Sequence, residues 1–444
     1  MLNEPALSYD DRPIQRPSPL GENSLRDPLT DLRPIIDTVF TIEREFAGDD
    51  PNLPSLREDM LLLAESIPTA VFEGKLKQPS EEAYSRLDTL LTPLNMLPML
   101  RHRDGKDVII VVKGRPASQP RPTWPNWILF AATVFSLLLV GTSIAAGEVG
   151  EVNQALSNEI SANPLIHLWR GLPYAISLLL ILGAHELGHY FVARRHKLSV
   201  TLPYFIPLPP PFSIFGTMGA FIQLREPMRN RKSLLDVGAA GPLMGLIFAV
   251  PILLIGLATS PVGPVEPGYQ LLEGNSLLYA LSKTLVFGQF LPAGNIDVSI
   301  NQLAQAGWVG LLVTAINLIP LGQLDGGHIL YSLVGDKARW LYIPVLVATV
   351  ALTLFVSESW LIWLALLFIF GRSYAVPLDA VTPLNTRRRF IALLSLGVFI
   401  ITFVPVPFTL RYVEEAAPAA RDSVSALLPF ALVFITLWLR GRGA

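Results

Sequence analysis

The chain has no cysteine among its 444 residues, which excludes a disulfide framework and any thiolate metal site. Charge is sparse as well: Asp, Glu, Lys and Arg make up 16% of the residues and the formal net charge is −2, so there is no electrostatic footprint for nucleic acid and no such partner is expected. Histidine is rarer still, with six in the whole chain. The first thirty residues have no apolar core and carry Glu4, Asp10, Asp11 and Glu22, which argues against a secretory signal or a transit peptide. The N-terminus is therefore expected to stay in the cytosol. No repeat at a fixed period is evident.

What the chain has in excess is apolar sequence, 51% of it. The charged residues concentrate before about residue 121, and beyond it long apolar runs alternate with short charged loops. The expected fold class is an α-helical polytopic membrane protein of about eight transmembrane segments, carrying a small N-terminal α/β cytosolic domain. Residues 1–32 are proline-rich and polar and read as a disordered lead-in. Residues 33–117 read as the α/β domain: helices over 35–46 and 55–67, a strand over 70–77, a helix from Ser80 to about 91 capped by the Ser80 hydroxyl, and a hairpin turning at Asp104-Gly105. This domain shows no catalytic pattern and is either regulatory or a structural appendage. A proline-rich linker, 118–125, leads to the membrane domain, 126–444.

The apolar segments run roughly over 126–146, 171–193, 235–258, 302–320, 339–356, 359–371, 390–408 and 424–439. If the chain simply alternates, Arg121, Arg194, Arg195, Lys197, Arg229, Arg231, Lys232, Lys337, Arg339, Arg372, Arg387 to Arg389, Arg440 and Arg442 all fall on one side. Loops 147–170 and 259–301, with few bases, fall on the other. Both termini are then cytosolic.

Within the second segment the apolar run is broken by His185-Glu186-Leu187-Gly188-His189. On a helix, residues four apart share a face, so both imidazoles can reach one metal ion, with Glu186 beside them. Ionisable groups at this depth are costly and mark functional sites by default. The H-E-x-x-H spacing is the zinc pattern: two imidazole ligands, plus a carboxylate that acts as general base towards water activated by Zn2+. The alternative is a pair of histidines in interhelical hydrogen bonds with Glu186 as their partner. A third ligand has to be His, Asp or Glu. Asp325, in the stretch Asn317 to His328 at the inner end of the fourth segment, arrives at the same depth after Pro320 breaks the helix, although it also fits an ordinary helix-end turn. His328 is either an outer partner of the site, a substitute ligand or a headgroup-level residue. His196, among Arg194, Arg195 and Lys197, reads as an interfacial anchor.

Between the second and third segments, 202–212 is too apolar for a cytosolic loop and too proline-rich for a helix. It reads as a loop dipping into the membrane, followed by a strand from Gly219 through Phe221 to Leu224. That strand's edge is suited to pairing with an extended peptide, the alternative being a lipid anchor. Ser233 to Asp236 reads as a capping box, and the small residues from Gly238 to Gly245 suit close helix packing.

With these motifs, 170–335 resembles the core of the site-2 protease family of intramembrane zinc metalloproteases. The resemblance implies that His185, His189 and Asp325 hold one Zn2+, that Glu186 is the general base, and that Asn317 helps hold substrate. It also implies a transmembrane protein substrate cut in or near its membrane segment, in a lipid bilayer. Loop 259–301 is too short for a PDZ insertion, so the arrangement is similar to the cyanobacterial and chloroplast branch. The membrane expected is a prokaryotic inner or plasma membrane, or a thylakoid membrane in a cyanobacterium. Two rivals use the same residues: a metal transporter or sensor, and an inert protease-like scaffold. A transporter needs further acidic or histidine residues along its path, and the later segments show almost none.

Overall fold

The computed structural model describes residues 27–51, 68–115, 121–150, 152–265, 268–294, 296–356 and 358–413. The expected lead-in up to residue 26, the whole of the expected helix 55–67, and the eighth apolar segment 424–439 lie outside the described residues.

Among the described residues, the front of the chain is a four-stranded antiparallel sheet with two helices. Helix α1 (Pro28–Asp37) opens with the Asp27 carboxylate accepting from the Leu29 N–H and Pro28 in its first turn. The sequence predicts that it continues to residue 46; instead it stops at Asp37, and β1 (Phe40–Ala47) pairs with β2 (Pro68–Leu76). The run Phe40-Thr41-Ile42 buries Phe40 in the sheet, so tertiary pairing overrides a helical spacing of apolar residues. Helix α2 (Ser80–Leu91) buries Ala83, Tyr84, Leu87 and Leu91, one stripe at three- and four-residue spacing. Its Ser80 does not cap it; the hydroxyl meets Thr382 Oγ1 at 2.8 Å instead. Strands β3 (Met96–Arg103) and β4 (Lys106–Lys113) form the expected hairpin, with Asp104 and Gly105 both at positive φ (49° and 76°). The sheet order is β1-β2-β4-β3.

The remaining α-helices among the described residues are α3 (Trp124–Gly150), α4 (Gln154–Ala162), α5 (Leu172–Arg195), α6 (Arg231–Ala258), α7 (Leu277–Phe287), α8 (Gln302–Asn317), α9 (Asp325–Val334), α10 (Tyr342–Phe355), α11 (Trp360–Phe370) and α12 (Thr386–Thr402). Among the described residues, four helical stretches are long and apolar enough to cross a membrane: Trp124–Gly150, Leu168–Arg195, Arg231–Ala258 and Asp325–Phe355. Of the seven expected segments within the described residues, 302–320, 359–371 and 390–408 appear as the shorter helices α8, α11 and α12. Helix α6 does carry a capping box, but its members are Asn230 and Ser233, three residues before the expected start.

Between α5 and α6, β5 (Tyr204–Leu208) and β6 (Gly216–Phe221) form a separate two-stranded sheet packed on α3, where Ser136 Oγ donates to the Gly216 carbonyl at 2.6 Å. Region 259–301 holds α7 and the short strands β7 (Val262–Pro264), β8 (Gly268–Glu273) and β9 (Ile296–Val298). Strand β8 pairs with β10 (Phe408–Val413), which follows α12.

A strap between α11 and α12 joins the front sheet to the membrane helices. The Leu100 N–H donates to Leu378 O (2.9 Å) and the Ala380 N–H to Leu100 O (3.1 Å), so the strap lies along the free edge of β3. From its other side, the Leu378 N–H donates to Met228 O (2.8 Å) and the Asp379 N–H to Arg229 O (2.9 Å), just ahead of α6. Arg101, 3% exposed, donates through Nη1 to the carbonyls of Leu100, Pro377 and Leu378. Leu378 itself belongs to the front module's apolar core.

Candidate active site

Helix α5 has a lead without a charged residue, Leu172 to Ala184, before its polar turn. His185 and His189 fall about 15 Å and 9 Å from its C-terminal end, well inside the candidate span. Both imidazoles, at 4% and 6% exposure, turn toward α6, where Gly241 and Gly245 leave room for them. The helical spacing delivers the expected pair: His185 Nε2 and His189 Nε2 stand 3.1 Å apart.

The third member comes from 136 residues away. Helix α8 ends at Asn317, and the chain turns through Leu318 to Leu324 before α9 starts at Asp325. Gly326 makes the turn compact; a Cβ there would fall 2.0 Å from the Leu318 carbonyl oxygen. Asp325 Oδ2 thereby comes within 3.2 Å of His189 Nε2 and 3.3 Å of His185 Nε2.

Three lone-pair-bearing atoms at mutual distances of 3.1 to 3.3 Å need something positive between them. In tetrahedral coordination, ligand bonds of about 2.0–2.1 Å give ligand-to-ligand edges of roughly 3.3–3.4 Å. The donor set fits zinc by size and by type. Among the described residues it is the one group of three or more His, Asp or Glu placed to hold a metal ion.

Two further details complete the site. His189 Nδ1 lies 2.8 Å from the Val237 carbonyl of α6, which makes Nδ1 the protonated nitrogen and leaves Nε2 free as a ligand. Glu186, 4% exposed, places Oε1 4.0 Å from His185 Nε2 and accepts from the Ile222 backbone N–H. Its Oε2 is buried without a hydrogen-bond partner among the described residues, an orphan acceptor beside a metal-ligand set.

Of the residues singled out from the sequence, the structure brings together His185, Glu186, His189, Asp325 and also Asn317, whose Nδ2 is 3.4 Å from His185 Nε2. Gly219 and Phe221 sit on β6, which ends one residue before Ile222. Phe221 is half-exposed and stacks on Tyr204 across the strand pair at 5.4 Å. His328 is on α9, with its Cβ against Gly238. His196 is no mere anchor: its Nε2 meets Asp236 Oδ2 at 3.0 Å. Sequence reasoning missed the Val237 carbonyl and the Ile222 N–H, since main-chain groups carry no signature of residue type.

Residues 173–355 match the sequence profile of Peptidase family M50. The chain is 30% identical over 348 residues to the "Probable zinc metalloprotease EGY2, chloroplastic" of Arabidopsis thaliana, covering 76% of this chain and 60% of that one. It is 28% identical over 367 residues to the "Probable zinc metalloprotease EGY1, chloroplastic" of the same plant, covering 76% and 66%. A shorter match, 34% identical over 128 residues, is to the "DDT domain-containing protein PTM" of Arabidopsis thaliana and covers 28% of this chain and 7% of that one. The chain spans less than two thirds of the length of the two metalloprotease relatives. No solved structure matches.

Proposed function

From the premise that this chain carries a peptidase family M50 (site-2 protease) domain, we propose that it is an intramembrane zinc metalloendopeptidase. It hydrolyses peptide bonds in or near the transmembrane segments of membrane-tethered proteins. The observation that carries the reading is the convergence of His185 Nε2, His189 Nε2 and Asp325 Oδ2 inside apolar helices, with the Glu186 carboxylate alongside.

His185, His189 and Asp325 hold Zn2+, which when bound supplies a Lewis acid to polarise the scissile carbonyl and to acidify the attacking water. Glu186 takes a proton from that water onto its unpartnered oxygen and hands it to the leaving amine. The Ile222 N–H holds the other part of the carboxylate, fixing the base in place. Once His185 Nε2 is committed as a ligand it no longer accepts from Asn317, so the Asn317 amide is available to the substrate backbone.

A substrate helix satisfies its own carbonyls and has to unwind before it can be cut. Strand β6 has one neighbour, β5, among the described residues, and it runs directly into the residue that holds Glu186. An unwound segment pairs along β6 at Gly219, with Phe221 bounding one side chain. Phe212, at 78% exposure, and Met218 keep this hairpin in contact with lipid. The full topology has eight spans with α8, α11 and α12 among them and both termini cytosolic, in a plasma or thylakoid membrane. A transport path has little support, since the described residues offer no second metal-ligand group for an ion to move to.

The test is zinc content alongside cleavage of a single-span substrate by the purified full chain, wild type and Glu186→Gln. Zinc in both proteins with cleavage by wild type alone is expected. Cleavage that survives in Glu186→Gln would sink the mechanism.

A further inference from the structure

The metal ligand His189 is oriented by a backbone carbonyl, and that carbonyl is itself held by charged groups from two other helices. Val237, whose oxygen takes the His189 Nδ1 proton, directly follows Asp236 on α6. The Asp236 carboxylate receives a fork from Arg388: Nε to Oδ1 at 2.9 Å and Nη2 to Oδ2 at 2.7 Å. His196, just past the end of α5, adds a contact to Oδ2 at 3.0 Å. One carboxylate therefore ties together α5, which carries both histidine ligands, α6, which orients one of them, and α12. Arg388 lies beyond the residues that match the peptidase family.

We propose that Asp236, gripped by Arg388, is a positioning residue for the metal site, acting on His189 through the Val237 carbonyl. The inference rests on the zinc reading above. A two-pronged guanidinium–carboxylate pair fixes direction as well as distance, which a single point charge does not. All three side chains of the clamp are about three quarters shielded, so the pair is less screened than a surface ion pair. The lower end of α6 is held a second time by its capping box, Ser233 N–H to Asn230 Oδ1 at 3.0 Å. The clamp therefore sets the rotation of the turn carrying Val237, and its loss leaves the helix formed but the carbonyl free to swing.

The experiment uses the full chain in detergent and two readouts that do not depend on turnover. Zinc affinity is measured against a competing chelator, and the Co2+-loaded protein is read by its visible ligand-field bands. Arg388→Ala is expected to weaken zinc binding about 10–100-fold, the range for loss of an outer partner of a metal ligand, and to shift the cobalt bands. Arg388→Lys is expected to keep only part of the wild-type affinity and bands, whereas Lys232→Ala, which removes an ion pair from α6 to Glu81 of α2, is expected to change neither. If Arg388→Ala does not yield folded protein, Asp236→Asn, which keeps the shape, decides by the same two readouts. Folded Arg388→Ala or Asp236→Asn with wild-type affinity and wild-type bands overturns the positioning role alone. Wild type that binds no zinc overturns both this role and the protease reading.

Discussion

Gly241 stands where any side chain would collide with His189: a Cβ on it would lie 2.0 Å from His189 Nε2, the atom turned toward His185 and Asp325. The glycine exists for the neighbouring helix and not for its own. Gly241→Ala should therefore remove zinc binding, either by displacing the imidazole or by prying α5 from α6. Gly245→Ala, whose Cβ would be 3.3 Å from the nearest His185 atom, should be milder. Gly397→Ala, with nothing within 4 Å, should keep full zinc content and serves as the control. Metal analysis of the three purified variants checks the ranking.

Removing a ligand and removing the base should be separable. Asp325→Ala leaves two imidazoles and should lose zinc on dialysis, with cleavage lost in parallel. Glu186→Gln should hold zinc as wild type does while cleavage falls by about 10²–10⁴-fold, the usual weight of a general base. Chelator treatment of wild type should abolish cleavage, and added zinc should restore it; activity that survives chelation contradicts the metal role.

The strap has its own pH dependence. Asp379, 1% exposed, accepts from the Val381 and Thr382 N–H groups and from the Thr382 hydroxyl, yet burial outweighs them and pushes its carboxyl above the ordinary carboxylate range. A carboxyl raised in the folded state stabilises fully below its unfolded pKa, and that contribution disappears as pH rises through its folded pKa. The module should therefore be held more firmly in mild acid than at neutral pH. Asp379→Asn keeps the amide acceptor and removes the titration, so its thermal midpoint should change less between about pH 4 and 7 than that of wild type. Parallel slopes in the two proteins would count against this account.

Arg101→Met should detach the front sheet without emptying the metal site. The change leaves the Pro377 carbonyl without its Arg101 donor, at a cost of ~1–3 kcal/mol, and leaves the Leu378 carbonyl with the Leu100 N–H alone. Hydrogen exchange should rise along β3 and the strap, while zinc content stays at the wild-type level. Unchanged protection of Leu100 and Ala380 would show that the strap does not depend on Arg101.

The readability of this chain followed the reach of each signal. His185, Glu186 and His189 share one helical turn, so spacing alone put them on one face. Asp325 was legible because Pro320 and the following glycines announced a break at the right depth. The strand at Phe40 was misread because its apolar residues also fit a helix, and pairing with Leu76 decides the matter from 36 residues away. The strap, the Ser80 contact to Thr382 and the Arg388 fork join side chains or main chain separated by 150 to 302 residues, and no local pattern reports such partners.

The strap also imposes an order on assembly. Arg101 and Leu378 are 277 residues apart, so on the ribosome the edge of β3 waits roughly 15–55 s, at 5–20 residues per second, for the segment that covers it. Through that interval the front sheet has an open strand edge, and α6 lacks both the strap and Arg388. The site can be finished only after residue 388 has been made, so a nascent chain that stops short of it carries the His185-to-His189 motif without the Arg388 grip on Asp236.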